Sequence, residues 1–289
     1  MQILVNGLLG AIGIVPIALA FAVVYVPTRV FHIALAGIYA FAPYTAWALM
    51  KAGAPVPLAL AGAIIGAVVL SLLLEICNHG PLEKKARQPL AHFIASMGAY
   101  ILIVQVIVLG WGPDPQTLRP AAQTTFIWAN LVITTGQIAA LMVAVVAAAC
   151  FYGWLAFTGS GLRLRALASN PAELALRGHN VRRLRLLAFG VSGALCSGAA
   201  LVASWDMGFD PHSGLSPVLL GIVAAILGGR QSFWGPALGM LVIGLARVGV
   251  LVGVSARWQD PAVFLLLALG LYCRPNGILT TATRDGGAP

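Results

Sequence analysis

The residues of this sequence that are able to do chemistry are few, and their spacing argues against catalysis. There is no HExxH, no GxSxG, no phosphate-binding glycine loop and no pair of acids inside one apolar run. Zinc hydrolysis, serine nucleophilic catalysis, nucleotide hydrolysis and an acidic proton relay therefore lack their residues. The chain is expected not to be an enzyme and to bind neither a metal nor a cofactor. Cys77, Cys150, Cys196 and Cys273 stand far apart, without metal-ligand spacing, and read as small apolar packers. His32 and His79 lie beside polar breaks and read as satisfied interface residues, and Glu75 reads as a helix-end acid or a partner for Lys84 or Arg87.

Two polar side chains, Gln105 and Arg247, fall deep within apolar runs, where each must face protein or water. Gln105 suits a bond across helices or a contact with a solute. Arg247 suits an internal pair, an interfacial position or a substrate contact. Ser213 and Ser216 precede a short apolar run, and Gly228-Gly229 follows it. Helix ends presented at such breaks can meet a solute, the amino end favouring a carboxylate. These six residues are the candidates for lining a route across the membrane, with Asp206 and Asp210 near its outer mouth.

A second candidate site is the stretch 158–185, TGSGLRLRALASNPAELALRGHNVRRLR, which carries Arg163, Arg165, Arg177, Arg182, Arg183 and Arg185 against the single acid Glu173. Within it Asn170 can cap a helix, Pro171 suits the first helical position, Glu173 can reach back as in a capping box, and Gly178 can end the helix in the left-handed region. The spacing predicts a helix of under two turns over 171–177, with Ala172, Ala175 and Leu176 offering a small apolar face. So short a helix is not stable alone. It reads as a docking knob finished by a soluble partner, or else as a solvated basic loop.

The elements that must position these residues are membrane segments. Hydrophobic residues make up 60% of the 289 and charged residues 9%, against roughly a quarter charged in soluble domains. That composition excludes a soluble enzyme and predicts an all-α polytopic membrane protein forming one domain over 1–289. Apolar runs at 3–26, 33–50, 57–77, 90–111, 131–157, 186–205 and 233–254 read as spans, with Trp111 and Trp128 as interfacial anchors. Those at 218–227 and 261–273 are too short for about 30 Å of hydrocarbon and are expected inside the bundle, tilted or re-entrant. The total is eight or nine segments. The run 186–205 is rich in small residues and is expected to face protein rather than lipid.

Net charge is +9, but the basic residues sit in breaks between apolar runs without interleaved aromatics, so topology explains them better than nucleic acid does. With 158–185 placed in the cytoplasm, most of the basic residues fall inside and the amino terminus falls on the periplasmic side. MQILVNGLLG lacks a positively charged leader, so the first apolar run is expected to stay as a span.

Four stretches together resemble the permease subunits of bacterial branched-chain amino-acid ABC importers, specifically the shorter, high-affinity-type permease. They are 2–30; 75–105, with Pro81-Leu82, Ile94, Ser96, Gly98 and Gln105; the 158–185 loop, with Arg165-Ala166, Asn170, Ala175, Gly178 and Asn180; and 227–279, with Gly228-Gly229, Ser232, Gly235 and Arg274-Pro275-Asn276-Gly277. The resemblance implies a transmembrane permease domain in the bacterial inner membrane whose cytoplasmic loop couples to partners through Asn170, Pro171, Ala172, Glu173, Ala175, Leu176 and Gly178. It also implies a second permease, two ATPase subunits that hydrolyse ATP, and a periplasmic substrate-binding protein. Where the family has Asn-Phe-Ala-His-Gly-Glu, this chain reads His32-Ile33-Ala34-Leu35-Ala36-Gly37. If that run touches the route, the solute is a different small amino acid or amide; if it only packs, specificity lies with the binding protein. The alternative class is a secondary transporter or channel working without ATPases, which would need embedded ionisable residues or a polar filter.

Overall fold

In a computed structural model of the chain, which describes residues 2–85, 88–119, 125–128 and 131–279, the first apolar run forms one helix, α1 (Gln2–Thr28), in spite of Pro16 and Pro27. Proline is tolerable there because neighbouring helices enclose the backbone: every residue from Val15 to Pro27 is buried. Next come α2 (Leu35–Lys51) and α3 (Val56–Leu74), which runs through a π turn, Glu75–His79, into α4 (Gly80–Lys85). Helix α5 (Pro89–Trp111) and a two-stranded hairpin, β1 (Thr125–Trp128) with β2 (Leu131–Thr134), lead to α6 (Thr135–Phe157). The short helices α7 (Gly159–Ser169) and α8 (Pro171–Leu176) then precede α9 (Val181–Met207), α10 (Leu215–Gly228), α11 (Gly235–Gly253) and α12 (Gln259–Cys273).

Among the described residues, six helices are long and apolar enough to cross a membrane: α1, α3 with its continuation to Glu83, α5, α6, α9 and α11. The 17, 14 and 15 residues of α2, α10 and α12 are shorter. Two boundaries and one placement differ from the sequence expectation. Helix α6 starts at Thr135 rather than 131, because Thr134 and Gln137 form a reciprocal capping box and the β-branched pair before it goes into a strand. Helix α9 starts at Val181 rather than 186, capped by Asn180 on the Arg183 amide at 3.2 Å, so three arginines expected in a loop are helical. The two short segments part company: α10 is buried among α1, α2 and α11, whereas α12 lies on the outside, with Val263 its only buried residue. The side chains of Lys84, Lys85 and Trp128, and all of Arg87 and Arg284, lie outside the described residues.

Helix α1 is the axis, with α6, α9, α10 and α11 packed against it and α2 and α3 reaching it through α9. Small residues set the crossings. A Cβ at Gly239 of α11 would run into the Ala224 carbonyl oxygen of α10, one at Gly244 into Ala11, and one at Gly193 would lie 2.9 Å from the Ser71 side chain and 3.0 Å from the Ala67 carbonyl. Hydroxyls bridge crossings of α9: Ser192 Oγ donates to the Ala20 carbonyl of α1 at 2.7 Å, and Ser71 Oγ of α3 to that of Phe189 at 2.6 Å. The small-residue face of the sixth span does face protein, as expected, and Cys196 is buried within it. Cys77, Cys150 and Cys273 are on the outer surface instead.

The close approach at α10 and α11 makes Gly239→Leu a sensitive probe. It is expected to destabilise the protein by about 3 kcal/mol, the upper end of overpacking effects, because the obstacle is backbone and cannot rotate away. Gly98→Ala, with open space around Gly98, should change stability by no more than about 1 kcal/mol, in the stabilising direction. Thermal unfolding in detergent micelles measures both.

Candidate functional site

The short helix expected over 171–177 forms, as Pro171–Leu176, with an anchor that the sequence did not signal. Thr158 caps α7 through the Gly161 amide at 3.1 Å, and Leu164 and Leu167 seat α7 on the bundle. Asn170 Oδ1 then accepts from the Glu173 amide at 3.1 Å, Pro171 takes the first position, and Gly178 closes the helix with φ of +80°. Glu173 does not reach back to complete a capping box. Its carboxylate pairs with Arg177, four residues on. Successive helical residues turn by 100°, so Leu174 and Leu176 point in nearly opposite directions. Leu174 is buried and holds α8 down, while Leu176 is 89% exposed, beside exposed Ala172 and Ala175. Arg163, Arg165, Arg177, Arg182 and Arg183 are exposed around this apolar tip.

At the other end of the bundle lies a cavity of about 840 Å³, walled by the first half of α1, the start of α6 and α10, and the ends of α9 and α11. The stretch 115–117 closes over it, pinned by paired 2.8 Å backbone bonds between Gln116 and Phe209. Apolar wall dominates, and the charged groups fall in two places. Asp206, Asp210, Ser213 and Ser216 surround the amino end of α10, and Arg247 and Gln259 stand on α11 and α12. Asp210 accepts from the His212 amide at 2.7 Å, and Ser213 Oγ donates to the Asp210 carbonyl at 2.8 Å. Arg247 is half-buried, 3.4 Å from Asp260 and 3.4 Å from Gln259. A chamber whose lining includes carboxylates, a guanidinium and a mostly apolar wall suits a small amphiphilic zwitterion.

Of the six residues predicted to line a route, Ser213, Ser216 and Arg247 come together here. Gln105 does not: it is on the exposed face of α5, among Ile101, Leu102 and Leu109. Gly228 and Gly229 also lie elsewhere, where α10 turns back toward α11. A Cβ on Gly228 would strike the Gly235 carbonyl, and Gly229 has φ of +146°. There the carbonyls of Leu227 and Gly228 accept from the amides of Ile278 and Leu279, each at 2.9 Å, after a turn in which Gly277 has φ of +87°. The terminal Arg-Pro-Asn-Gly motif therefore positions a cap for α10.

Sequence reasoning also missed a buried polar cluster close to α8, at the start of α9. Arg185, 7% exposed, donates through Nε to Glu75 Oε1 at 2.6 Å and through Nη1 to Glu83 Oε2 at 3.0 Å. Glu83 Oε2 stands 3.4 Å from His92 Nε2, and His92 Nδ1 lies 3.3 Å from His79 Nδ1. His32, in the link between α1 and α2, packs its ring on Phe189 and His79. Neither of its nitrogens has a hydrogen-bond partner, contrary to the expectation of a satisfied residue. Burial holds its pKa down to about 3, so it is neutral. The only early signal was the lone Glu75 at a span end.

Comparison with known proteins agrees with this architecture. A sequence model of the family described as branched-chain amino acid transport system / permease component matches residues 3–271. The high-affinity branched-chain amino acid transport system permease protein BraD of Pseudomonas aeruginosa is 26% identical, covering 96% of this chain and 95% of BraD. Its counterpart LivH of Salmonella typhimurium is 27% identical over 81% of this chain and 76% of LivH. Among solved structures, PsaBC from Streptococcus pneumoniae in complex with Fab superposes with a TM-score of 0.52 at 13% identity, covering 94% of this chain and 91% of that one, a likeness of fold. The relatives are transport permeases rather than enzymes, and the apolar helices are those of a multi-pass inner-membrane protein. On the match from residue 3 to residue 271, the chain belongs to the permease-component family of branched-chain amino acid transport systems.

Proposed function

We propose that this chain is one of two permease subunits enclosing the translocation route of an ATP-driven importer. In this reading the complex carries two ATPase subunits that hydrolyse ATP and couple to this chain through its α7–α8 face, and the chain itself holds no cofactor. A periplasmic binding protein delivers solute to the cavity end, on the same side as the amino terminus. The observation that carries the reading is the separation of the two sites along one uninterrupted helix. Helix α9 begins four residues after Arg177 and ends in the cavity wall at Asp206 and Met207, about 27 Å from Ala199 back to Val181 at 1.5 Å per residue.

The solute is a branched-chain or similarly small amino acid, which the paired charges and apolar walls of the cavity would accommodate. His32 to Gly37, where the chain departs from the family pattern, is buried throughout and contributes nothing to the cavity wall. Ala34 donates to Ser96 Oγ at 2.8 Å and Gly37 abuts Ile103. That packing supports specificity residing in the binding protein rather than in this run.

The test is reconstitution of the permeases with their ATPases in liposomes, with the binding protein and radiolabelled leucine. Ala175→Glu places a carboxylate on the exposed apolar tip and should lower co-purification of the ATPases and leucine-stimulated ATP hydrolysis by about tenfold; wild-type values for both would remove α8 from coupling. Ser216→Trp, which fills the cavity beside α10, should leave the ATPases bound while uptake falls by about tenfold. Unchanged uptake would put the route outside the cavity. For orientation, cysteines introduced singly at Gln2 and Ser169 in a cysteine-free background should react with a membrane-impermeant thiol reagent in intact cells only at Gln2. The reverse pattern would invert the assignment.

A further inference from the structure

Arg185 lies one turn into α9, directly after the docking helix, and its guanidinium crosses to two acids on the continuation of α3. Glu75 in the π turn is 3% exposed and accepts at 2.6 and 3.4 Å, and Glu83 on α4 accepts at 3.0 Å. From Arg185 the contact continues along one face of α9 at four-residue intervals. The Phe189 carbonyl takes the Ser71 hydroxyl at 2.6 Å, and Gly193 lets α9 close on Ala67, Val68 and Ser71. Glu75, Ser71 and Ala67 are themselves four apart, so α3 and α9 meet along matched rows with the ionic joint at one end. Glu83 then meets His92 of α5 at 3.4 Å, which extends the joint to a third helix.

The backbone is shaped for this. The π turn Glu75–His79 re-aims the helix, and Gly80 follows because a Cβ there would lie 2.8 Å from the Glu75 carbonyl oxygen. Separating the joint would strand buried charges without their counterions, which opposes opening far more strongly than sliding between apolar faces.

We propose that Arg185, with Glu75 and Glu83, is the joint that makes the α7–α8 docking segment, α9 and the α3–α5 hairpin move as one body when the ATPases act. Arg185 is thus a positioning residue for coupling, acting through α9, whose far end walls the cavity. The inference rests on the importer reading above, and the experiment separates the two.

Wild-type complexes in liposomes first report whether leucine-loaded binding protein stimulates ATP hydrolysis and uptake; their failure to do so counts against the importer reading. In the same system, Arg185→Met with Glu75→Gln removes the inner charges together. It should preserve ATPase co-purification and basal hydrolysis while leucine carried per ATP falls by about tenfold. Arg185→Lys, which keeps the charge but not the fork, should recover part of that ratio. An unchanged ratio in the double variant overturns the inference. A second measurement leaves the joint intact: nitroxides at the exposed positions Leu73 and Arg182 should keep their separation within about 2 Å between nucleotide-free and ATP-trapped complexes, the scale of packed-helix shear. A change well beyond that shows α3 and α9 moving apart and overturns it equally.

Discussion

Helices in a bilayer gain little by burying apolar surface against each other, since lipid is as apolar as leucine, so their association depends on how closely their backbones can approach. This structure meets that constraint at glycine. Gly193 admits α3 to α9, Gly239 admits α10 to α11, Gly221 sets α10 against the backbone of Ala18, and Gly214 sits on the Ala36 carbonyl. Serine hydroxyls then bond carbonyls already committed to helix ladders, as Ser192 does at Ala20 and Ser71 at Phe189. The outer faces of α3, α5, α6 and α12 carry large aliphatic side chains instead, which contact lipid without penalty.

Close packing through the middle of the bundle leaves the charged clusters described above at its two ends, and the ends differ in kind. One is concave, with about 840 Å³ of space and charges of both signs on its walls. The other is convex, with Leu176 and Ala175 standing out of a basic surface on a helix too short to hold its shape without Asn170, Gly178 and Leu174. A hollow and a protruding knob thus stand at the two ends of one bundle. Helix α9 touches both, and Arg185 ties its first turns to α3 and α4.

The departure from the family pattern in 32–37 has a structural account. In most positions of that run a long polar side chain would have nowhere to go, because Ala34, Leu35, Ala36 and Gly37 are enclosed by α5, α9 and the start of α10. His32 is accommodated as a neutral ring set edge-to-face against its aromatic neighbours. The run therefore belongs to the packing of α2, and the charged groups that line the cavity come from segments distant in sequence, such as Asp210 and Arg247.

Much of this was legible from residues alone, wherever the physics is local. Composition determined the membrane class, and Asn170 with Gly178 determined a short helix between α7 and α9, because caps act within one turn. The small residues of α9 determined that it would be enclosed. Tertiary structure decided what depends on residues far apart in the chain. Glu75 found Arg185, 110 positions away, rather than a basic neighbour in its own loop. Gln105 turned outward although its apolar surroundings suited either face. Gly228 and Gly229 proved to be where two helix ends and the 277–279 segment converge, and α12 went to the periphery although it is as short and apolar as α10. Periodicity says that a face will be buried. Which neighbour buries it is set by the three-dimensional order of the helices, and no single segment contains that order.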